Sequence, residues 1–598
     1  MYQLLKEFFS LLKPIHKLNL FKLQFFIITS SIFETLSVLS IGPFMAVAAN
    51  SDLIYENELL QKTYQFFAFS SSSSFLIFLG FSILFLMIFS TIIAIFTTWK
   101  LSIFGGSIGA DLSNQMYLHY MKQSWLFHTK RNTSQISSKL VVEANRMTYS
   151  VILQILQINS RVVLISMMAI TIATAVPVVA LVGTTTFAIG YIGLYKLASG
   201  RLSRNGKITS IEVEKRMRLI NEGFGGFKDV LVLGLQKYFS IRYLSATNKY
   251  FRAWSNNQLL SLLPRYAMEM AAFGSMLSAV LFLLIQYESN FQFILPILSV
   301  FAFASVKMLP AFQGVYVGIS TIRGNIAAFE NVKRELENTQ YTSLDFFENI
   351  KENQVNIDLL NSIEFKNISF DFNEENRNIL HNLSLKIKAK KSTGIVGQSG
   401  SGKSTAINIL IGLLQASSGK VLVDGIEINE SNLRSWQNKI GFVSQNIFLI
   451  DSSIKNNIAY GVEEEDISID KLNQAIELAQ LSSLIETLPN GIETRAGERG
   501  VKLSGGQLQR IGIARALYHD PEVIIFDEAT SNLDGISEKA IMKTIANLGK
   551  VKTIIMIAHR LSTVQKCDEI FLIDDGKLVD HGTYENLIKT NAIFKGML

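Results

Sequence analysis

Apolar and polar positions divide the chain into two regimes. Up to about residue 340, long apolar runs are separated by polar stretches. Beyond about 363, apolar runs of strand length alternate with helical patterns. Six apolar runs, at about 19–46, 74–98, 150–174, 177–198, 264–287 and 291–318, each approach the ~20 residues that cross a bilayer core. Runs three and four, and five and six, are joined by short links, the second through Glu288, Ser289 and Asn290. Runs two and three, and four and five, are joined by long polar stretches (99–149 and 199–263) that read as helical, with turning points near 124–134 and 221–229. Residues 1–17 place Leu4, Leu5, Phe8, Phe9, Leu11 and Leu12 at helical spacing among Lys6, Glu7, Ser10 and Lys13. That pattern fits a helix lying in the membrane interface rather than a signal peptide. With only about 18 residues ahead of run one, no N-terminal peptidase domain is expected. Residues 319–340 become progressively charged and read as a helix leaving the membrane. The pattern predicts an α-helical six-span transmembrane domain (1–340), a polar linker (341–362) and a soluble α/β domain (363–598).

Composition supports this division. The chain is 48% hydrophobic and 18% charged, too apolar for an ordinary soluble protein. Its formal charge of +7 comes largely from the polar stretches beside the spans, so no nucleic-acid partner is expected. Residues 99–149 carry six Lys/Arg against Asp111 and Glu143. Residues 199–263 carry eleven against Glu212, Glu214, Glu222 and Asp229, whereas 51–73 set Lys62 against Asp52, Glu56 and Glu58. The excess of cations puts the two long stretches inside and 51–73 outside, with both termini inside. In 51–73, Leu53, Ile54, Leu59, Leu60, Tyr64, Phe66 and Phe67 are candidates for an apolar face at the outer interface. The single cysteine, Cys567, excludes an intramolecular disulfide.

The chemistry lies in the second domain. Gly397-Gln398-Ser399-Gly400-Ser401-Gly402-Lys403-Ser404-Thr405 fits the phosphate-binding pattern G-x-x-x-x-G-K-[ST]. Its glycines let backbone N–H groups turn inward onto phosphate oxygens, Lys403 adds a point charge, and the Ser404 hydroxyl suits Mg²⁺. A strand at 392–396 and a helix at 406–414 flank it, so the helix dipole adds to the anion site. Residues 523–528 read as a buried strand ending in two acids. Asp527 suits the Mg²⁺ shell, and Glu528 suits the residue that orients or deprotonates a water.

Leu503-Ser504-Gly505-Gly506-Gln507, with Arg510 and a following apolar helix, resembles the signature of ATP-binding-cassette (ABC) proteins. In that family the signature of one subunit closes over ATP held by another, so the resemblance implies a homodimer with shared ATP–Mg²⁺ sites. The remaining motifs agree. Gln445 matches the glutamine that reaches Mg²⁺ and water, in the loop that touches the membrane domain. Asp534, in Ser531-Asn532-Leu533-Asp534, matches the dimer-crossing loop, with Asn532 a departure from the usual alanine. His559 matches the switch histidine. Phe372 matches the adenine-stacking aromatic, with Phe370 a close rival. Gly497-Glu498-Arg499-Gly500 resembles a segment of ABC exporters. Six spans and one such domain make a half-transporter, an ATP hydrolase coupled to transport across a bacterial inner membrane, with the cassette in the cytoplasm.

The ionisable residues inside the spans are candidates for handling an amphipathic or lipid-linked substrate: Glu34, Arg161, Arg265, Glu269 and Lys307. Arg265 and Glu269 share a helix face and suit a simple pair. Lys307 either lines a path for an anionic head group or pairs with Glu34. The FET segment at Glu34 with the later Pro43-Phe44, the PRY-x-x-E segment at Arg265, and Lys307 shortly before Leu309-Pro310 look like the lipid-linked oligosaccharide flippases of bacterial N-glycosylation. So does KIGFVSQNIFLIDSSI in the cassette, and that family has a short external helix where 51–73 falls. The resemblance implies a polyprenyl-pyrophosphate glycan as substrate. Exporters of other lipids, drugs or peptides are the alternative, and an ATP-gated channel or regulatory ATPase a more distant one.

Overall fold

The structure is a computed structural model and describes residues 2–175, 177–286, 291–337, 355–371, 378–528, 535–558 and 560–597. The chain forms two compact units, Met1–Gln123 with Lys130–Ser343, and Ser124–Thr129 with Leu344–Leu598.

The first unit is all-helical. α1 (Tyr2–Leu11) buries Leu4, Phe8 and Leu12 and keeps its polar face out, as the spacing predicts. α2 (Pro14–Leu39) starts with proline at its first position, where the missing N–H costs nothing. The first expected span is not one helix. α2 ends at Leu39 and α3 runs over Ile41–Ala49. Pro43 supplies the reason, because it has no N–H for the carbonyl of residue 39. The outer segment holds α4 (Leu53–Glu56) and α5 (Glu58–Phe66), the latter capped by the Asn57 side chain at the N–H groups of Leu59 and Leu60.

The expected outer apolar face is divided. Ile54 is fully buried and packs with Val47 and Phe75, and Leu60 and Tyr64 lie against that cluster. Leu59, Phe66 and Phe67 remain exposed.

α6 (Ser72–Lys122), α8 (Thr133–Thr174, π-helical at Ser138–Glu143 and Thr148–Ile152) and α9 (Pro177–Gly225) continue well past the apolar runs. At 51 residues, α6 measures about 75 Å against a hydrocarbon core of about 30 Å. The long polar stretches are therefore extensions of the spans. Between α6 and α8 lies α7 (Trp125–Lys130); the second turning point falls at 226–235, slightly beyond the expected one. α10 (Gln236–Leu262), α11 (Pro264–Gln286), α12 (Phe291–Gly324) and α13 (Ile326–Glu337) complete the unit.

Among the described residues four helices are long and apolar enough to cross a membrane: Pro14–Ala49, Ser72–Lys122, Thr133–Thr174 and Leu295–Gly324. The other two expected spans coincide with α9 and α11, and the link at 288–290 lies outside the described residues.

The second unit is α/β. β1 (Ser362–Asp371), β2 (Asn378–Lys388), β4 (Ser418–Val423) and β5 (Ile426–Glu427) form an antiparallel sheet in the order β2-β1-β4-β5. β3 (Ser392–Val396), β6 (Ile440–Val443), β7 (Val523–Asp527), β8 (Thr553–Ile557), β9 (Glu569–Asp574) and β10 (Lys577–Gly582) form the second sheet, ordered β10-β9-β3-β8-β7-β6. Its strands pair in parallel except β9 with β10.

Residues 338–354 lie outside the described set, but Ile357 and Leu359 are already buried in the core of this unit. Leu126 packs against the same core, which is why Ser124–Thr129 belongs here although it lies between α6 and α8 in sequence.

Candidate nucleotide site

In a parallel sheet the loops that follow the strands gather along one edge, outside the carboxyl ends. Here β3 is followed by the phosphate loop and β7 by Glu528. β6 is followed two residues on by Gln445. The sheet order β3-β8-β7-β6 sets these loops side by side.

The phosphate loop leads into α14 (Lys403–Leu410), which begins within the motif, three residues earlier than the pattern indicated. Gly402 caps it with φ +97°. A Cβ there would lie 2.7 Å from Leu380 and 3.0 Å from the Ile379 carbonyl, so glycine is required twice over. Gly397, Ser401, Gly402 and Lys403 are buried, while Ser399, Gly400 and Ser404 form an exposed rim and Thr405 is half-buried. The Lys403 ammonium is folded into the loop and donates to the carbonyls of Gly397 and Gln398, both at 2.8 Å. Burial pulls its pKa below the usual lysine range, and the Glu528 and Asp527 carboxylates oppose that shift. Among the described residues the buried Ser401 hydroxyl has no hydrogen-bond partner.

Asp527 ends β7 opposite Ile557 of β8. Glu528 follows with φ +51°, unusual for a residue with a side chain, and its N–H donates to the Ile557 carbonyl. Its carboxylate accepts a 2.8 Å hydrogen bond from the Gln445 amide, which joins two residues 83 positions apart.

Ser504 caps α15 (Gly505–Tyr518) through a reciprocal box. Its hydroxyl accepts from the Gln507 N–H at 3.3 Å, and its own N–H donates to the Gln507 side chain at 2.8 Å. Ser504 and Gly505 are exposed and Gly506 half-buried, so this helix start is open to a second molecule. Ser504→Ala is expected to lower the stability of this helix by about 1 kcal/mol through loss of the cap. Thermal unfolding of the whole protein measures it.

Phe372, Asp534 and His559 lie outside the described residues. Phe370, the rival of Phe372, is 5% exposed and belongs to the core, so it offers no face for stacking.

Arg515, on the inner face of α15, belongs to none of the sequence motifs. Its guanidinium donates to the carbonyls of Phe448 and Asn457, each at 2.8 Å, and covers the Tyr460 ring at 4.7 Å. Beside it, Gly512 leaves room for Ile447. Together these two residues tie the signature helix to the segment that follows Gln445. An arginine in an otherwise apolar helix, IGIARALY, was the available signal.

In the first unit, Lys307 and Glu34 approach to 3.9 Å, with Ser30 also donating to Glu34. The pairing with Glu34 expected as one alternative for Lys307 is thus present. Arg265 pairs with Glu269 at 2.6 Å on its own helix. Arg161 lies over Gly314, where a Cβ would be 2.4 Å from the guanidinium carbon.

A helical membrane unit followed by a nucleotide-binding unit with this arrangement of loops is an ABC exporter fold. Residues 28–307 match the family model "ABC transporter transmembrane region", and residues 380–531 match "ABC transporter". The structure of a bacterial Atm1-family ABC exporter with ATP bound superposes with a TM-score of 0.79, over 97% of this chain and 98% of that one, at 22% identity. The chain is 33% identical over 391 residues to the heterocyst differentiation ATP-binding protein HepA of Nostoc sp. (strain PCC 7120), covering 64% of this chain and 60% of the relative. It is 41% identical over 232 residues to the ATP-dependent lipid A-core flippase of Escherichia coli (strain K12), covering 39% of this chain and 40% of the relative. The chain is thus a multi-pass membrane protein with an ATP-binding cassette, whose cofactors are ATP and Mg²⁺. The site's oxygen donors, the Ser404 hydroxyl, the Gln445 amide and the Asp527 carboxylate, suit a hard cation that keeps waters and phosphate oxygens in its shell.

Proposed function

We propose that the chain is an ATP-hydrolysing half-transporter that works as a homodimer in the bacterial inner membrane, with its cassette in the cytoplasm. The hydrogen bond between Gln445 and Glu528 carries this reading, because it joins the proposed water-activating carboxylate to the proposed relay loop. Lys403 and the N–H groups at the start of α14 hold the phosphates of ATP. Ser404, Asp527 and Gln445 would hold Mg²⁺, which would supply positive charge against the reacting phosphates. Glu528 orients the attacking water and takes its proton. Ser504 to Gln507 of the second copy close the site. With their missing side chains, Gly505 and Gly506 leave backbone N–H groups accessible to phosphate oxygens. Arg515 and Gly512 pass that closure to the Gln445 loop. Phe372, Asp534 and His559 are assigned adenine stacking, the dimer crossing and the γ-phosphate contact on their motifs alone.

The substrate we assign is a lipid-linked oligosaccharide, a polyprenyl-pyrophosphate glycan moved from the inner to the outer leaflet. The segments around Glu34, Arg265 and Lys307 support this class. So do the exposed Leu59, Phe66 and Phe67 of the outer segment, an apolar surface suited to a lipid tail. The similarity to a lipid A-core flippase supports export of another lipid as the second reading. Stimulation of ATP turnover in nanodiscs decides between them. A polyprenyl-pyrophosphate glycan stimulates if the first reading is right; stimulation by lipid A or by drugs alone refutes it.

Lys307 supplies the cation for the pyrophosphate in this scheme. Lys307→Ala combined with Glu34→Gln, which leaves no lone charge in the span, is expected to slow glycolipid translocation by about tenfold or more. Unstimulated ATP turnover of the same variant stays close to that of the parent protein.

A further inference from the structure

A groove of about 410 Å³ opens beside α1 in the first unit. Its walls come from Phe8 and Phe9 of α1, Leu23 of α2, Leu101 of α6, Ile155 of α8 and Ile322 of α12. Almost the whole lining is carbon. Two of its polar side chains meet each other, the Asn159 amide donating to the Gln24 carbonyl oxygen at 2.7 Å. The α1 wall is fixed in place. Glu7 pairs with Lys333 at 3.1 Å, and Lys13 and His16 both reach Asp111, at 3.0 and 2.6 Å. An occupant of this groove is therefore apolar and enters a preformed site.

The charges at its mouth specify the other end of that occupant. Lys17 lies one helical turn before Leu20, a lining residue of α2, and on the same face. Arg323 lies four residues after Ile319, a lining residue of α12, again on the same face. In the orientation proposed above, with both termini inside, α2 runs outward and α12 returns, so both cations fall on the cytoplasmic side of the carbon lining. Both are exposed, and neither forms an ion pair among the described residues. Elsewhere on α2, Ile15, Leu18, Phe21 and Phe25 are also exposed.

We propose that this groove binds an anionic phospholipid of the inner leaflet, with one acyl chain between α1, α2, α8 and α12 and the head group at Lys17 and Arg323. The bound lipid would then brace α1 against the spans. This site is separate from the substrate path assigned to Glu34 and Lys307 and stands whichever lipid is exported. It rests on the placement of the first unit in a membrane.

The test uses the full chain in nanodiscs with photoactivatable diazirine-acyl phosphatidylglycerol or its phosphatidylcholine counterpart, followed by peptide mapping. Phosphatidylglycerol is expected to label the peptides containing Leu20–Ile27 and Ile155–Val162 preferentially. Lys17→Gln with Arg323→Gln should lower that labelling at least about fivefold without changing labelling by phosphatidylcholine. Val162→Trp, which fills the groove from a partly exposed position, should block labelling by either lipid. Equal labelling by both lipids in the parent protein overturns the head-group assignment. Labelling only at the outer residues Phe81 and Leu84 overturns the site. A disulfide between two copies carrying Leu23→Cys would show that a second protomer, not a lipid, covers the groove.

Discussion

Glu528→Gln is expected to abolish ATP turnover, by about 100-fold or more, while ATP still binds with near-parental affinity. Glutamine has the shape of glutamate and still offers a carbonyl oxygen to the Gln445 amide, so the 2.8 Å contact and the local fold survive. It loses only the capacity to take a proton from water. The backbone at Glu528 adds a second reason to expect a specific role. A φ of +51° at a residue with a Cβ stores strain of the order of 1 kcal/mol, held here by the N–H bond to Ile557. Such strain persists where a side chain must be aimed. Phosphate release together with fluorescent-nucleotide titration measures both quantities. A variant that turns over ATP within about threefold of the parent protein would remove Glu528 from the mechanism.

Lys403→Met carries the second large effect, on binding instead of turnover. The lysine is 4% exposed and hydrogen-bonds two loop carbonyls. Methionine fills the volume but leaves those carbonyls unpaired and removes the charge that the phosphates would meet. Hydrogen bonds to a charged group contribute about 1.5–3 kcal/mol, so ATP affinity should fall by about 10- to 100-fold. Fluorescent-nucleotide titration reads this directly. Lys403→Arg would not rescue it, because the guanidinium is too wide for a pocket that a compact ammonium fills. Unchanged affinity in the methionine variant would contradict the site.

The cassette was legible in the sequence because its chemistry is local. Glycines, Lys403 and Ser404 sit within nine residues, and the strand before them ends where the apolar run ends. The long polar stretches were legible as helices for the same reason, since periodicity acts over a few turns.

What depended on distant parts of the chain was not legible. That Lys307 meets Glu34 depends on the packing of α12 against α2. The outer segment showed seven apolar side chains without showing that Ile54, Leu60 and Tyr64 would turn toward Val47 and Phe75. Arg515 was hidden because its partners lie 58 and 67 residues away. The break at Ser40 is different. Pro43 announced it, and the length of the apolar run concealed it.

The measurement that tests the central claim most directly is ATP-driven translocation by the purified full chain in sealed proteoliposomes holding a polyprenyl-pyrophosphate glycan. The glycan moved to the lumenal face, opposite an outward-facing cassette, is counted by its protection from an added glycosidase. Glycan should cross to that face only with ATP and Mg²⁺, and not at all with Glu528→Gln. Equal crossing with the variant, or none by the parent protein while it hydrolyses ATP, would contradict the assignment of this chain as a glycolipid flippase.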